Sequence, residues 1–484
     1  MRYVIALDEG TTSTRAVLYN TQKQTIDKVK NVPIKQYYPK PGYVEERATE
    51  IYSSTLAVLV DAIETVGMEK VAGIAITNQR ETVIAWERST GKPLYNAIIW
   101  QCRRTMEFCN EIEALYGPTI KRKTGLKVDA YFSASKMRWL IQNVAEVKSA
   151  LKRKDLCLGT VESYLIFKLT GGKAFVTDYT NASRTMLFNI NSMEWDDDLL
   201  SLFSIPKEVL PEIVAPDGVY GEFEYANRKI PLAGAAGDQQ AAAVGQGCFE
   251  RGRAKITYGT GMFMLANIGE QYKNSNALLT TLGYGKKPVY MFEGSVFNAG
   301  SAVQWLRDGL DFFKQSKDSE KLALSVENSG GVYVVPAFTG LGSPYWRSDV
   351  SGLITGITRG TTKAHITRAV LEAMAYSARD LIEVMQEEGE ISLESLRVDG
   401  GASENNFLMQ FQADVTNIAV DRPIERESTA LGAAYLCEIA LKIKTMEEIC
   451  GSRRSEKLFN PSPNRAEFEK LYDGWKNAVK RCLL

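Results

Sequence analysis

The chain has 484 residues, 45% hydrophobic and 24% charged, which is ordinary for a folded protein of two or three domains and too long for one small module. Its 58 Lys and Arg balance its 58 Asp and Glu, so the formal net charge is zero and no basic excess points to nucleic acid. A single histidine, His365, leaves no ordinary Ser-His-Asp triad or His-rich zinc site, and seven cysteines without Cys-x-x-Cys spacing leave no thioredoxin-like pair.

In chain order, the apolar run Tyr3–Leu7 stops at Asp8, a turn of Gly and hydroxyl residues follows, and Arg15–Tyr19 resumes as a strand. This is a β-hairpin pattern, and Thr25–Val32 supplies a third strand beside it. Ala48–Val66 carries Ile51, Leu56, Leu59, Val60 and Ile63 at helical spacing. Val71–Ile76 reads as a buried strand, Thr82–Trp86 and Ala97–Trp100 as further strands, and the stretch from Arg104 to Thr170 as mainly helical. A strand, a Gly/Thr turn and a strand recur at Ala254–Leu265, about 250 residues after the first such unit, predicting two related α/β lobes with a boundary near 245–250. Ile366–Gly389 reads as a long helix, with His365 at its start in a structural role. Leu396–Val398 reads as a strand, and Asn405–Thr416 and Ser428–Leu436 as helices, the last with small residues suited to close packing. Lys121–Lys123 and Lys152–Lys154 read as solvated helix ends. The scattered cysteines read as free thiols of a cytoplasmic protein, the N-terminal apolar stretch is too short for a signal peptide, and no apolar run approaches a membrane span.

Three turns carry chemistry. Asp8-Glu-Gly-Thr-Thr-Ser-Thr-Arg15 places a carboxylate, hydroxyls and free N–H groups around a tight turn, the parts that hold Mg²⁺ and phosphate oxygens, and Arg15 adds a planar cation. Thr257-Tyr-Gly-Thr-Gly261 allows close backbone approach beside a hydroxyl, without the Lys of a Walker A loop. Asp399-Gly-Gly401 joins a strand to a helix, so a flat ring could lie on bare backbone. Each alone is weak, and each has a plain reading as a turn.

Their order resembles the actin–hexokinase–Hsp70 ATPase superfamily, in which two ribonuclease-H-like lobes hold ATP. Further motifs narrow the resemblance: Thr77-Asn-Gln-Arg-Glu-Thr82, Asn96–Thr105, Asp178–Phe188, Ala236-Gly-Asp-Gln-Gln-Ala241, Val335–Gly342 and Gly474–Arg481. Together they look like the glycerol kinases of the carbohydrate-kinase family, along essentially the whole chain. The resemblance implies an α/β fold of two ribonuclease-H-like lobes, 1–247 and 248–484, with an interlobe cleft. It implies glycerol bound by Arg80, Glu81, Tyr131, Asp238 and Gln239 and flanked by Trp100 and Phe263. It implies ATP phosphates on Thr11, Thr12, Ser13 and Arg15, further nucleotide contacts from Thr260, Gly300, Gln304, Gly401 and Asn405, and Mg²⁺ at Asp8 and Asp238. Asp238 is the expected base, and a homo-oligomer, dimer or tetramer, the expected assembly. Some relatives are inhibited by a sugar bisphosphate at a Gly-rich loop before an Ile-Pro strand, or phosphorylated on a histidine there; here Glu222–Pro231 has neither glycine nor histidine. The alternatives are a kinase of a pentulose, gluconate or erythritol, which would share the ATP motifs, and an actin- or Hsp70-like ATPase, which needs no polyol pocket. A Rossmann dehydrogenase is excluded by the lack of GxGxxG.

Overall fold

The computed structural model describes residues 2–484. The chain divides into two compact units, the first holding Met1–Gly247 and the second beginning at Cys248. The division is not a single cut, which corrects the expectation that 248–484 forms the second lobe whole. Thr280–Val289 and Ser428–Arg453 belong to the first unit. The physical reason is backbone contact. A Cβ on Gly432 would lie 1.8 Å from the Ala241 carbonyl oxygen, and one on Gly245 would lie 2.0 Å from that of Ser428. The helices Asp238–Gly245 and Ser428–Ala440 therefore touch backbone to backbone, which only glycine permits. Thr280 is held by its N–H to the Gly125 carbonyl at 2.9 Å, and Thr281 Oγ1 accepts from Gln240 at 3.0 Å.

The main sheet of the first unit runs in the order Thr25–Pro33, Ser13–Asn20, Tyr3–Glu9, Val71–Asn78, Arg228–Gly237, Val219–Tyr225. The first three strands are antiparallel, Tyr3–Glu9, Val71–Asn78 and Arg228–Gly237 are mutually parallel, and the last strand returns antiparallel. Tyr3–Glu9 is buried at every position because both faces are covered, which is why it reads as a continuous apolar run. Tyr3, Ile5 and Leu7 share a core with the helix Ala48–Val66, while Gly73 faces Cys437 of Ser428–Ala440 on the other side.

An elaboration between the fourth strand and Val219 holds several helices, including Met106–Thr124 and Ser133–Asn143, and three strands of a smaller sheet completed by Gln36–Tyr37 and Glu45–Glu46. The region expected to be mainly helical contains the strand Leu156–Thr160, which pairs antiparallel with Val83–Glu87. Its Leu-Cys-Leu-Gly-Thr is short, apolar and buried throughout, where periodicity cannot separate strand from helix. The basic runs are helix ends, as expected: Lys123 closes its helix with ion pairs to Asp196 at 2.8 Å and Asp198 at 2.6 Å.

In the second unit six strands of a seven-stranded sheet run in the order Val289–Val296, Met262–Gly269, Ala254–Tyr258, Ser395–Asp399, Ala419–Pro423, Ser455–Phe459. Three antiparallel strands again lead into three parallel ones and an antiparallel edge. The long helix Lys363–Gly389 begins three residues earlier than expected, and His365 closes a capping box there, its Nδ1 accepting from the Thr362 N–H at 3.2 Å. Among the described residues none of the seven cysteines forms a disulfide.

Candidate active site

Strand register assembles the site in the first unit. Asp8 pairs with Thr77 and Thr77 with Ala236, while Glu9 pairs with Asn78 and Asn78 with Gly237. The carboxyl ends of three adjacent parallel strands thus lie side by side, the usual binding edge of an α/β sheet. From them leave the Gly10–Ser13 turn, the Gln79–Thr82 turn and the helix that starts at Asp238.

The first turn closes through the Gly10 N–H to the Ser13 carbonyl at 3.0 Å, and its Thr12 carbonyl accepts from Ile34 at 2.9 Å. Thr11 and Ser13 are half-buried and Thr12 is exposed. Arg15 lies opposite Asp8 in the hairpin and pairs with its carboxylate. Behind the turn, Glu9 is fully buried and accepts from Thr14; burial pushes its carboxyl well above the usual range. Glu46, which accepts from Gln79 at 2.8 Å, is raised to about 7 by the same cause.

In the second turn Glu81 has φ of +64°, a left-handed conformation that costs a non-glycine residue of order 1–3 kcal/mol. The strain aims two consecutive charged side chains inward. Arg80 Nε lies 3.0 Å from Asp238 Oδ1 and 3.8 Å from Glu81 Oε1, and Glu81 Oε1 accepts a hydrogen bond from Arg184 Nε at 2.6 Å. Arg80 is 3% exposed and Glu81 2%, whereas the Asp238 side chain is 35% exposed, so Asp238 is the accessible end of the chain of charges. Asp238 opens its helix after Gly237, whose N–H donates to Thr180 Oγ1 at 3.1 Å. Gln239 follows, buried. Asn78 and Asn181 exchange hydrogen bonds at 3.1 and 3.0 Å, fixing the same strand ends from the other side. Asp178 caps the short helix Tyr179–Ala182; burial raises both its carboxyl and that of neighbouring Glu162.

The aromatic wall is Trp100 against Tyr131, edge to face with centroids 5.6 Å apart. Trp100 Nε1 donates to Thr11 Oγ1 at 3.0 Å, so this wall is tied to the Gly/Thr turn. The first unit therefore brings together Asp8, Thr11, Arg15, Arg80, Glu81, Trp100, Tyr131, Asp238 and Gln239. Phe263, Thr260, Gly300, Gln304, Gly401 and Asn405 stand in the second unit.

There the three turns again meet at the carboxyl ends of parallel strands. Thr257 pairs with Asp399. The Gly300 N–H donates to the Gly259 carbonyl at 3.1 Å, and the Ala299 and Ser301 N–H groups donate to Thr260 at 3.0 Å. A Cβ on Gly400, at φ +83°, would lie 2.3 Å from the Tyr258 carbonyl oxygen, while one on Gly401 would meet no atom within 4 Å. Gly400 is required by packing, and Gly401 leaves an open face. Asn405 caps the helix Asn406–Thr416, accepting from Leu408 at 2.9 Å. Gln304 is exposed and Phe263 half-buried.

The sequence motifs missed the roles of Arg184, Asn181 and Thr180. Arg184 lies 103 residues from Glu81, and only the fold joins them; the Asp178–Phe188 motif holds all three residues but not their partners.

The donor set suits Mg²⁺ with nucleotide phosphates. Asp8 and Asp238 are carboxylates at the ends of the two strands that flank Val71–Asn78, beside the backbone of a Gly/Thr turn. Among the described residues there is no group of three or more His, Cys, Asp or Glu side chains able to hold a metal ion. A hard cation that keeps waters and phosphate oxygens needs only one or two carboxylates.

The model of the FGGY family of carbohydrate kinases matches this chain in both halves, the N-terminal domain over residues 3–245 and the C-terminal domain over 254–441. A glycerol kinase of Bacillus licheniformis is 50% identical over 99% of this chain and 98% of its own length. Glycerol kinase 2 of Thermotoga maritima is 50% identical over 100% and 99%. The crystal structure of Plasmodium falciparum glycerol kinase with ADP superposes with a TM-score of 0.94 at 37% identity, covering 100% of this chain and 99% of that one. The chain belongs to the FGGY family of carbohydrate kinases.

Proposed function

We propose that the chain transfers the γ-phosphoryl group of ATP to the 3-hydroxyl of glycerol, giving sn-glycerol 3-phosphate. The observation that carries this reading is the Arg80–Asp238–Glu81–Arg184 charge cluster beside the Trp100–Tyr131 wall. Glycerol is small and almost wholly polar, and such a cluster offers donors and acceptors to its hydroxyls and an apolar edge to its carbons. Half-identity over the full length with glycerol kinases of two bacteria supports the choice of substrate.

Arg80, Glu81, Tyr131 and Gln239 orient the polyol, with Trp100 and Phe263 against its carbon atoms. Asp238, the accessible carboxylate, accepts the proton of the attacking hydroxyl. A weak base suffices because phosphoryl transfer passes through a loose transition state in which positioning and charge stabilisation dominate. Asp8 and Asp238 would hold Mg²⁺, which neutralises charge on the phosphate oxygens when bound. Thr11, Thr12, Ser13 and Arg15 cradle the phosphates, and Thr260, Gly300, Gln304, Gly401 and Asn405 take the rest of the nucleotide. The reading includes a homo-oligomer, dimer or tetramer, working in the cytoplasm without nucleic acid. No helix among the described residues is long and apolar enough to cross a membrane.

A coupled assay of ADP release with glycerol, dihydroxyacetone, erythritol, gluconate and D-xylulose tests the reading. A pentulose adds carbons and hydroxyls that would displace an aromatic ring or lie unpaired, at about 1–3 kcal/mol for each unsatisfied group. The expected kcat/KM favours glycerol over D-xylulose by at least about 100-fold. Comparable values would move the assignment to a pentulose kinase, and ADP release indifferent to every polyol would move it to an actin-like ATPase.

A further inference from the structure

Lys136 is wholly buried, on the helix Ser133–Asn143 one turn from its start. Side chains on a helix lean toward its N-terminus, so Lys136 reaches back into the loop before it. Its Nζ donates to the Tyr131 carbonyl at 2.5 Å and to the Ala130 carbonyl at 3.2 Å. Those oxygens belong to the two peptide planes that flank the Tyr131 Cα. The N–H sides of the same planes are held as well: the Tyr131 N–H donates to Asp129 Oδ1 at 2.7 Å, and the Phe132 N–H to the Asp129 carbonyl at 3.2 Å. Asp129 is in turn paired with Arg103 at 2.6 Å. With both planes held at both ends, φ and ψ of Tyr131 are fixed, and with them the direction of its Cα–Cβ bond.

An ammonium at this place opposes the helix dipole and loses its water. A methionine would fill similar volume without either cost. Charge-assisted bonds to two successive carbonyls are what methionine would not supply. We infer that Lys136 is a positioning residue for the polyol: it locks the backbone about Tyr131 so that the phenol meets the substrate at one angle, edge-on to Trp100. The inference rests on the reading of Tyr131 as a substrate contact and deepens it.

The charged and titratable groups facing Lys136 are Glu81 from the strained turn, Cys102 from the loop after Ala97–Ile98, Cys109 from Met106–Thr124 and Asp129; Arg184 pairs with Glu81. Burial pulls the lysine down to about 8, and it pushes the Cys109 thiol up. Above pH 8 the lysine becomes a neutral, weaker donor.

The test is Lys136→Met with KM and kcat measured for both substrates between pH 6.5 and 9.5. The expected variant has a glycerol KM raised about 10- to 100-fold at pH 7, kcat within about threefold and an unchanged ATP KM. In the wild type, glycerol KM rises about 3- to 10-fold from pH 7 to 9 with a flat ATP KM, and the variant loses that rise. A variant glycerol KM within twofold of wild type overturns the inference, as does a parallel rise in both KM values with falling kcat, which marks a merely structural role. If the variant does not fold, the wild-type profile decides: a flat glycerol KM overturns the inference. Wild-type turnover of glycerol at pH 7 tests the kinase reading separately, and if another polyol is turned over instead, its KM is the one followed.

Discussion

The two units build their main sheets alike and finish them in opposite ways. In each, three antiparallel strands lead into parallel strands whose carboxyl ends carry the site. Corresponding strands then end differently. Val71–Asn78 of the first unit runs into Gln79-Arg80-Glu81, and Arg228–Gly237 into Asp238, so charged side chains converge. In the second unit Ser395–Asp399 runs into Gly400-Gly401, and Ala419–Pro423 ends on a proline. One sheet edge offers side chains, as a small polyol needs; the other offers bare backbone, as a flat ring needs. The shared architecture supplies an edge, and the residue types at the strand ends decide what it binds.

That contrast breaks most sharply at Asp238. Asp238→Asn keeps the size of the side chain and an acceptor for Arg80, but it cannot take a proton. The expected loss in kcat is about 10²- to 10⁴-fold, with KM for glycerol and ATP within a few-fold. Steady-state kinetics with near-normal kcat would remove Asp238 from the role of base and leave the first unit as a binding surface only.

The mirror experiment is Gly401→Ala. A Cβ there meets no protein atom, so the fold should accept it, with Tm unchanged. If the nucleotide lies on that backbone, the methyl intrudes on it, and ATP KM rises about 3- to 10-fold while glycerol KM stays put. An unchanged ATP KM would mean that the open face is not where the nucleotide rests. Gly400→Ala makes the contrast internal to one turn, since its Cβ would strike the Tyr258 carbonyl and lower Tm.

Where the pattern is local, the fold is legible in the sequence. The hairpin Tyr3–Asn20, the helix Ala48–Val66 and the close-packing helix at Ser428 are written in alternation, spacing and small residues. Where the determinant is a partner far along the chain, the sequence does not show it. The helix Ser428–Ala440 looks like any buried helix, and only Gly432 against Ala241 reveals that it joins the first unit. Likewise Glu81 and Arg80 are neighbours in sequence, but the bond from Arg184 and the left-handed φ that presents them belong to the folded chain. Lys136 was invisible for a different reason: a lysine on a helix is ordinarily solvated, and nothing local marks this one as buried.

The smallest expected effect concerns the edge of the first unit's sheet. Val219–Tyr225 and Arg228–Gly237 form a hairpin whose two linking residues, Ala226 and Asn227, both have positive φ, at +47° and +61°. This is the tight two-residue connection whose twist matches that of the strands. It leaves no loop to wrap a phosphate, and no glycine offers its N–H groups. The two cations present are partly committed or isolated: Lys229 pairs with Glu222 at 2.8 Å, Glu224 lies 4.0 Å from the same ammonium, and Arg228 stands exposed at the turn. With two carboxylates on the same strand pair, a sugar bisphosphate would meet about as much repulsion as attraction, and exposed pairs of this kind are worth at most about 1 kcal/mol. Fructose 1,6-bisphosphate at low millimolar concentration should therefore change the initial rate with glycerol by less than about twofold. No histidine phosphorylation is expected within 222–231, which contains no histidine. Strong inhibition by the bisphosphate in the steady-state assay would overturn this expectation. Lys229→Glu would then locate the anion site, because inhibition that survives that reversal of charge cannot act through this hairpin.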